Sequence, residues 1–154
     1  MLEVREARKS DTAVIHQLIG ELADFEKLRD EVSGSLGDLE RHLFGAEAYA
    51  RVLVAESDGQ VAGFALYFFN YSTFLCKPGI YLEDLFVRPQ FRGAGVGRAL
   101  LEAVEQRARD RGCGRLEWAV LDWNTRAMSF YEEFGAGPRG GWTVYRKSLA
   151  EPAP

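Results

Sequence analysis

The sequence predicts an α/β fold with a mixed sheet, antiparallel in its N-terminal half and completed by a parallel β-turn-α-β unit in its C-terminal half. In the first half, two strand-like runs, 50–56 and 60–70, are joined by Asp58-Gly59, a strong signal for a two-residue hairpin. In the second half, an apolar strand at 80–87 leads through a glycine-rich turn into an amphipathic helix and a further strand. This order is typical of a parallel crossover.

The elements before the hairpin follow from the spacing of apolar residues. Residues 2–7 alternate apolar and polar side chains, as in a short strand. Ser10-Asp11 can cap a helix whose apolar positions share one face: Val14, Ile15, Leu18, Ile19 and Leu22. Ser35 is placed to cap a second, shorter helix. The polar connection 25–34 between the two helices is the kind of loop that often carries specificity.

The elements after the hairpin complete one domain. The sequence predicts a helix over 97–111, a strand over 116–121, a helix over 125–134 with Asn124 at its N-cap, and a closing strand over 142–149. We expect residues 1–150 to form this single domain. The last four residues, 151–154, are expected to fray.

Composition narrows the possible functions. The net charge of −4 disfavours a nucleic-acid-binding surface, which needs a basic patch. No apolar run approaches the roughly 18 residues that a membrane span requires, and the first residues do not resemble a secretory leader, so a cytoplasmic protein is expected. Cys76 and Cys113 form no disulfide or zinc pattern, and no metal site is expected.

The most informative segment is the turn 90–97, between the strand and the helix. Gly93, Gly95 and Gly97 stand at alternate positions, which lets backbone N–H groups converge in front of the positive end of the helix. Arg88, Arg92 and Arg98 are expected to surround this turn with positive charge. The pattern therefore predicts a cradle for a polyphosphate.

Spacing separates the possible ligands of that turn. A nucleoside-triphosphate P-loop needs Gly-Lys-Ser or Gly-Lys-Thr, and neither occurs in the chain. In a dinucleotide fingerprint the third glycine would come one residue later, and the acidic residue would follow the next strand, whereas Glu117 precedes the apolar run 119–121. A turn that only tightens the strand–helix junction remains the alternative.

The pattern Gln90-x-x-Gly93-x-Gly95, preceded by the strand 81–87, resembles the pyrophosphate-binding motif of the GNAT family of N-acetyltransferases. Five blocks are similar to its spermidine/spermine branch, which includes diamine and thialysine acetyltransferases: 21–28, 67–73, 81–87, 119–124 and 141–142. The resemblance implies a GNAT-like fold, acetyl-CoA as co-substrate, a small amine as acetyl acceptor, and a homodimer.

The resemblance also implies roles for individual residues. The groups holding the cofactor arm and pyrophosphate would be Leu85, Phe86, Val87, Arg92, Gly93, Ala94, Gly95, Val96, Gly97, Arg98, Asn124 and Arg126. Tyr131 would be the general acid, and Glu83 would help to deprotonate the amine, directly or through water. Phe25 and Glu26 would contact the substrate.

The chemistry of amine acetylation explains why such residues are needed. A lysine-like amine has a pKa of about 10.4, so only about one molecule in a thousand is neutral at pH 7, and a base such as Glu83 or a desolvating pocket must help. Glu26 and Asp84 are candidates to attract the substrate's cation. Backbone N–H groups freed by a strand irregularity near 85–87 would stabilise the oxyanion that forms when the amine attacks the thioester directly. A phenol such as Tyr131 matches a thiol in acidity and can protonate it on departure.

Each of these assignments has an ordinary structural alternative. Glu83 can simply hold the sheet, Tyr131 can pack in the core, and Glu26 and Asp84 can be surface acids. A non-catalytic acyl-CoA sensor and an acetyltransferase for protein N-termini or lysines would share the cofactor residues. Where polyamine-specific relatives carry acidic anchors, this chain has Gly140 and, in the block 71–74, Ser72-Thr73. A small monoamine, diamine or thialysine-like amino acid is therefore expected in preference to spermine.

Overall fold

The computed structural model describes residues 1–149, in which five strands form one mixed sheet. The strands lie side by side in the order of the sequence: β1 Leu2–Glu6, β2 Arg51–Ser57, β3 Gln60–Ser72, β4 Lys77–Val87 and β5 Leu116–Trp118. β1 to β4 pair antiparallel, and β5 pairs with β4 in parallel. The predicted fold class is confirmed.

Four α-helices occur within residues 1–149: α1 Thr12–Phe25, α2 Leu36–Phe44, α3 Val96–Asp110 and α4 Thr125–Glu133. The predicted N-caps of α2 and α4 are confirmed, since Ser35 Oγ accepts from the Asp38 amide at 3.1 Å and Asn124 Oδ1 from the Ala127 amide at 3.2 Å. None of these helices is long and apolar enough to cross a membrane.

The chain divides into two compact units. The first, Met1–Ala119, holds the sheet and α1 to α3, and the second begins at Val120 and holds α4. In the first unit, α1 and α2 bury one set of side chains against the sheet: Ile15, Leu18, Leu22, Leu43, Val52, Val54, Phe64 and Phe86. α3 packs on β1 to β4 and buries Leu100, Leu101 and Val104. Burial of these apolar surfaces is the main force that holds the first unit together.

The predicted closing strand over 142–149 is wrong. These residues belong to no helix or strand, and Trp142 and Tyr145 are 81% and 92% exposed. The first four residues are aromatic or β-branched, which favours a strand, but a strand also needs a neighbour to accept its backbone hydrogen bonds. The strand expected over 116–121 likewise ends at Trp118, where its pairing with β4 ends. The predicted frayed tail, 151–154, lies outside the described residues.

Asp11 does not cap α1 with its side chain, although it occupies the N-cap position. Its carboxylate instead accepts from the backbone N–H of Arg8 at 2.6 Å and from both terminal nitrogens of Arg5, at 2.8 and 3.0 Å. Arg5 also donates from Nε to Glu56 at 2.8 Å. The Arg5 guanidinium, hydrogen-bonded to the carboxylate, holds the pKa of Asp11 below its usual range. This mostly buried network joins β1, β2 and the start of α1.

We expect Asp11→Asn to lower the free energy of unfolding at pH 7 by roughly 2–3 kcal/mol, because it leaves Arg5 partly buried with Glu56 alone. A carboxylate with a lowered pKa stabilises the fold above the unfolded value of about 3.9 and loses this contribution as pH falls through the folded value. The difference in the free energy of unfolding between the wild type and Asp11→Asn should therefore become smaller at acidic pH. Urea unfolding at several pH values measures it. Asp38→Asn, in an exposed ion pair with Arg41, is the matched control, and an equal effect of both would contradict the prediction.

Candidate active site

A β-bulge in β4 places two consecutive carboxylates at the centre of the candidate site. Asp84 lies opposite Leu66 of β3, but Leu82 lies opposite Tyr67, so Glu83 is an extra residue on β4. Successive side chains of a regular strand point to opposite faces. The extra residue resets this alternation within β4.

The bulge lies upstream of the predicted irregularity at 85–87, which is a correction. Leu85, Phe86 and Val87 keep a regular register with β3. A glycine permits this, since a Cβ on Gly63, opposite Val87, would stand 2.4 Å from the carbonyl oxygen of Phe86. The strands therefore pair closely up to the end of β4.

The backbone of Leu85 and Val87 is nevertheless directed away from β3. The Arg88 amide donates to Ala62 at 2.8 Å, and hydrogen-bonded pairs alternate along an antiparallel ladder, so Phe86 and Asp84 also bond to β3. The N–H groups of Leu85 and Val87 consequently point to the other edge of β4. Pairing with β5 on that edge ends at Leu82. This orientation suits the predicted contact of Leu85 and Val87 with an extended ligand.

Three predicted acidic residues come close together in the first unit. Burial, with the charges of Glu83 and Glu26, raises the pKa of Asp84 to about 7. Glu26 follows the last residue of α1, and burial raises its pKa as well. Asp84 therefore holds a proton for part of the time at neutral pH, and an arriving cation would favour its ionised form.

Aromatic rings lie beside these carboxylates. The rings of Tyr81 and Phe68 are 5.4 Å apart, and burial followed by the charges of Glu83 and Glu117 raises the pKa of Tyr81. The bulge puts Tyr81 and Asp84 on the same face, although regular alternation would separate them. The sequence alone assigns no role to Tyr81, because its position beside Asp84 follows from the pairing of β4 with β3.

The predicted glycine turn has the geometry of an anion cradle. Gly93 and Gly95 adopt φ values of +82° and +81°, which L side chains rarely adopt, and no atom lies within 4 Å of where their Cβ atoms would be. The first backbone bond of α3 runs from Ala99 to Gly95 at 3.0 Å, so the preceding amides, including those of Val96 and Gly97, are outside the helix ladder. This open backbone fits a pyrophosphate group.

The expectation that three arginines surround the turn is only partly met. Arg88 reaches back to α1, where it forms an ion pair with Glu21 at 3.0 Å. Arg92 packs over the ring of Phe25, and Arg98 pairs with Glu102 at 2.8 Å on the surface of α3. Part of the positive charge that the sequence predicts at the turn is therefore directed toward nearby carboxylates and an aromatic ring.

The remaining predicted residues lie in the second unit. Asn124 uses its side-chain oxygen to cap α4, and Arg126 is exposed in the first turn. Tyr131 is half-buried on α4, and its ring centroid lies 5.5 Å from that of Phe130. The roles of Asn124 and Arg126 with the cofactor, and of Tyr131 as general acid, stay predictions.

Comparison with known proteins agrees with this geometry. The model of the acetyltransferase (GNAT) family matches residues 16–136. A thialysine N-epsilon-acetyltransferase from Bos taurus is 42% identical, over 93% of this chain and 90% of its own length. Another from Caenorhabditis elegans is 37% identical, over 84% of this chain and 81% of its own.

A solved structure has a similar fold. An integron cassette protein from the mobile metagenome of V. cholerae superposes with a TM-score of 0.80 at 26% identity, covering 96% of this chain and 92% of the other. The family match and the thialysine acetyltransferases show that the chain belongs to the GNAT family and is an N-acetyltransferase.

Proposed function

We propose that this enzyme moves an acetyl group from acetyl-CoA to the primary amine of a small cationic substrate, such as a diamine or a thialysine-like amino acid. The observation that carries the proposal is the group of three carboxylates, Glu26, Glu83 and Asp84. Phe25, next to Glu26, packs against Arg92 of the glycine turn. In a partly buried site, like charges make an arriving cation favourable. The names of the relatives from Bos taurus and Caenorhabditis elegans support a thialysine-like substrate.

GNAT acetyltransferases use acetyl-CoA as co-substrate, and the residues of the turn fit it. The open backbone at Gly93 and Gly95 would hold the pyrophosphate, and the outward N–H groups of Leu85 and Val87 would bind the arm. Phe86, Arg92, Ala94, Val96, Gly97, Arg98, Asn124 and Arg126 complete the proposed cofactor set. Bound there, acetyl-CoA supplies an activated acetyl thioester.

The two adjacent carboxylates of the bulge have different roles toward the amine. Asp84 is the more buried of the two, and burial with the charges of Glu83 and Glu26 raises its pKa to about 7. The exposed Glu83 accepts a proton from the amine, directly or through water. Glu26, Asp84 and the ring of Phe25 position the cation, and the phenol of Tyr131 supplies a proton as general acid.

Short substrates are favoured over spermine by the residue at the expected distal anchor. Ser72 is 5% exposed, and its hydroxyl accepts from the Leu75 amide at 3.2 Å in the turn between β3 and β4. A buried hydroxyl used by the turn provides no charge for a second ammonium group. Homodimer formation, a single domain over 1–150 and a cytoplasmic location stay predictions.

A panel of amines tests the proposed substrate class. We expect kcat/KM for thialysine, lysine or putrescine to exceed that for spermine by roughly tenfold or more, because each lost charged contact is worth about 1.5–3 kcal/mol. The measurement is thiol release from acetyl-CoA with thialysine, lysine, putrescine, spermidine and spermine. Glu26→Gln should weaken the binding of every cationic substrate and leave the affinity for coenzyme A unchanged. A clear preference for spermine would overturn the assignment.

Tyr131→Phe keeps the ring and removes the acidic proton. A general-acid role predicts a fall in kcat of about 10²–10⁴-fold with folding and coenzyme A affinity preserved. Pre-steady-state kinetics must show that chemistry limits the rate. Near wild-type turnover of the variant at saturating amine would exclude this role, and Phe130→Leu on the same helix controls for loss of packing.

A further inference from the structure

Two contacts join the last turns of α1 to the segment that follows β4. The two residues on α1 are four positions apart in the sequence, and so are the two arginines that they contact. Arg88 donates from Nε and Nη2 to the two carboxylate oxygens of Glu21, at 3.2 and 3.0 Å. Arg92 lies with its guanidinium carbon 4.9 Å from the ring centroid of Phe25. Glu21 and Phe25 share one face of α1 because they are four residues apart.

Both arginines also donate hydrogen bonds to backbone carbonyls of the sheet. Arg88 donates from Nη1 to the carbonyl of Val61 on β3 at 3.1 Å, and Arg92 donates from Nε to the carbonyl of Val87 at 2.9 Å. The side chains of Arg88 and Glu21 are only 16% and 30% exposed, so their charges are screened less than those of a surface pair. The planar guanidinium of Arg88 has two contacts with the Glu21 carboxylate and one with the Val61 carbonyl. These contacts fix the orientation of Glu21 relative to β3 as well as its distance from β3.

The end of α1 needs such a tie. Glu26 lies just beyond the last helical residue, and the next residue, Lys27, adopts a φ of +61°, so the chain leaves the helix at this point. The amide of Glu26 donates to Leu22 at 2.9 Å, so the position of Glu26 follows that of the last turn of α1. The charge of Glu26 acts on Asp84.

We propose that Arg88, paired with Glu21 and assisted by Arg92 on Phe25, is a positioning residue that holds Glu26 near Asp84 for amine binding. The proposal rests on the proposed function of these carboxylates as the amine site. Arg88 touches neither reactant in this scheme and acts through α1. Loss of the ion pair should therefore weaken amine binding more than cofactor binding or chemistry.

The test is Glu21→Ala, which removes both acceptors, suits a helix and leaves the bond from Arg88 to Val61 in place. We expect KM for thialysine to rise roughly tenfold, while kcat and the Kd of coenzyme A stay within about twofold. Calorimetry with coenzyme A gives Kd, and thiol release gives kcat and KM. Glu105→Ala, which removes the exposed ion pair with Arg109 on α3, is the matched control and should change none of them.

Arg88→Lys is the second variant, for use if Glu21→Ala does not fold. It keeps the charge but loses the two-point contact, so the same selective rise in KM is expected, to a smaller extent. The positioning role would be overturned if the KM for thialysine equalled that of the Glu105→Ala control. It would also be overturned if KM and the Kd of coenzyme A rose in parallel. If the wild-type enzyme acetylates none of the amines, the proposed function fails instead.

Discussion

The β-bulge at Glu83 is the constraint on which the candidate site depends. One extra residue in β4 resets the alternation of side chains, so that Asp84 and Tyr81 share a face. Phe86, two residues beyond Asp84, lies in the core beneath α1. The same strand thus anchors the core, presents two carboxylates and ends at the glycine turn. Without the bulge, the hydrophobic and acidic side chains of β4 could not both face their present neighbours.

Grouping acidic residues in a partly buried place costs stability, and the structure offsets this elsewhere. Burial, and then the charges of Glu83 and Glu26, raise the pKa of Asp84. The Arg5 network toward the opposite edge of the sheet, at β1 and β2, contains paired charges, and there the pKa of Asp11 is lowered. Carboxyl groups whose pKa is raised in this way are found preferentially at functional sites, which favours a functional role for Asp84 and its acidic neighbours.

Sequence reasoning succeeded where structure is decided locally. The hairpin at Asp58-Gly59 has φ values of +51° and +80°, and the caps at Ser35 and Asn124 involve neighbours within three residues. It failed where a distant partner decides. The bulge depends on pairing across strands, and the direction of Arg88 depends on Glu21, 67 residues away. The expected closing strand had the pattern of a strand, but no described neighbour pairs with it.

We propose that the bulge and the end of α1 create an acidic site that receives a cationic amine. A carbon-13 NMR titration of the Asp84 carboxyl group, in the wild-type protein and in Glu26→Gln, tests this most directly. We expect a midpoint of about 7 in the wild type, and a lower midpoint in the variant because a neighbouring negative charge is gone. A wild-type midpoint near the ordinary value of about 3.9, unchanged in Glu26→Gln, would contradict it.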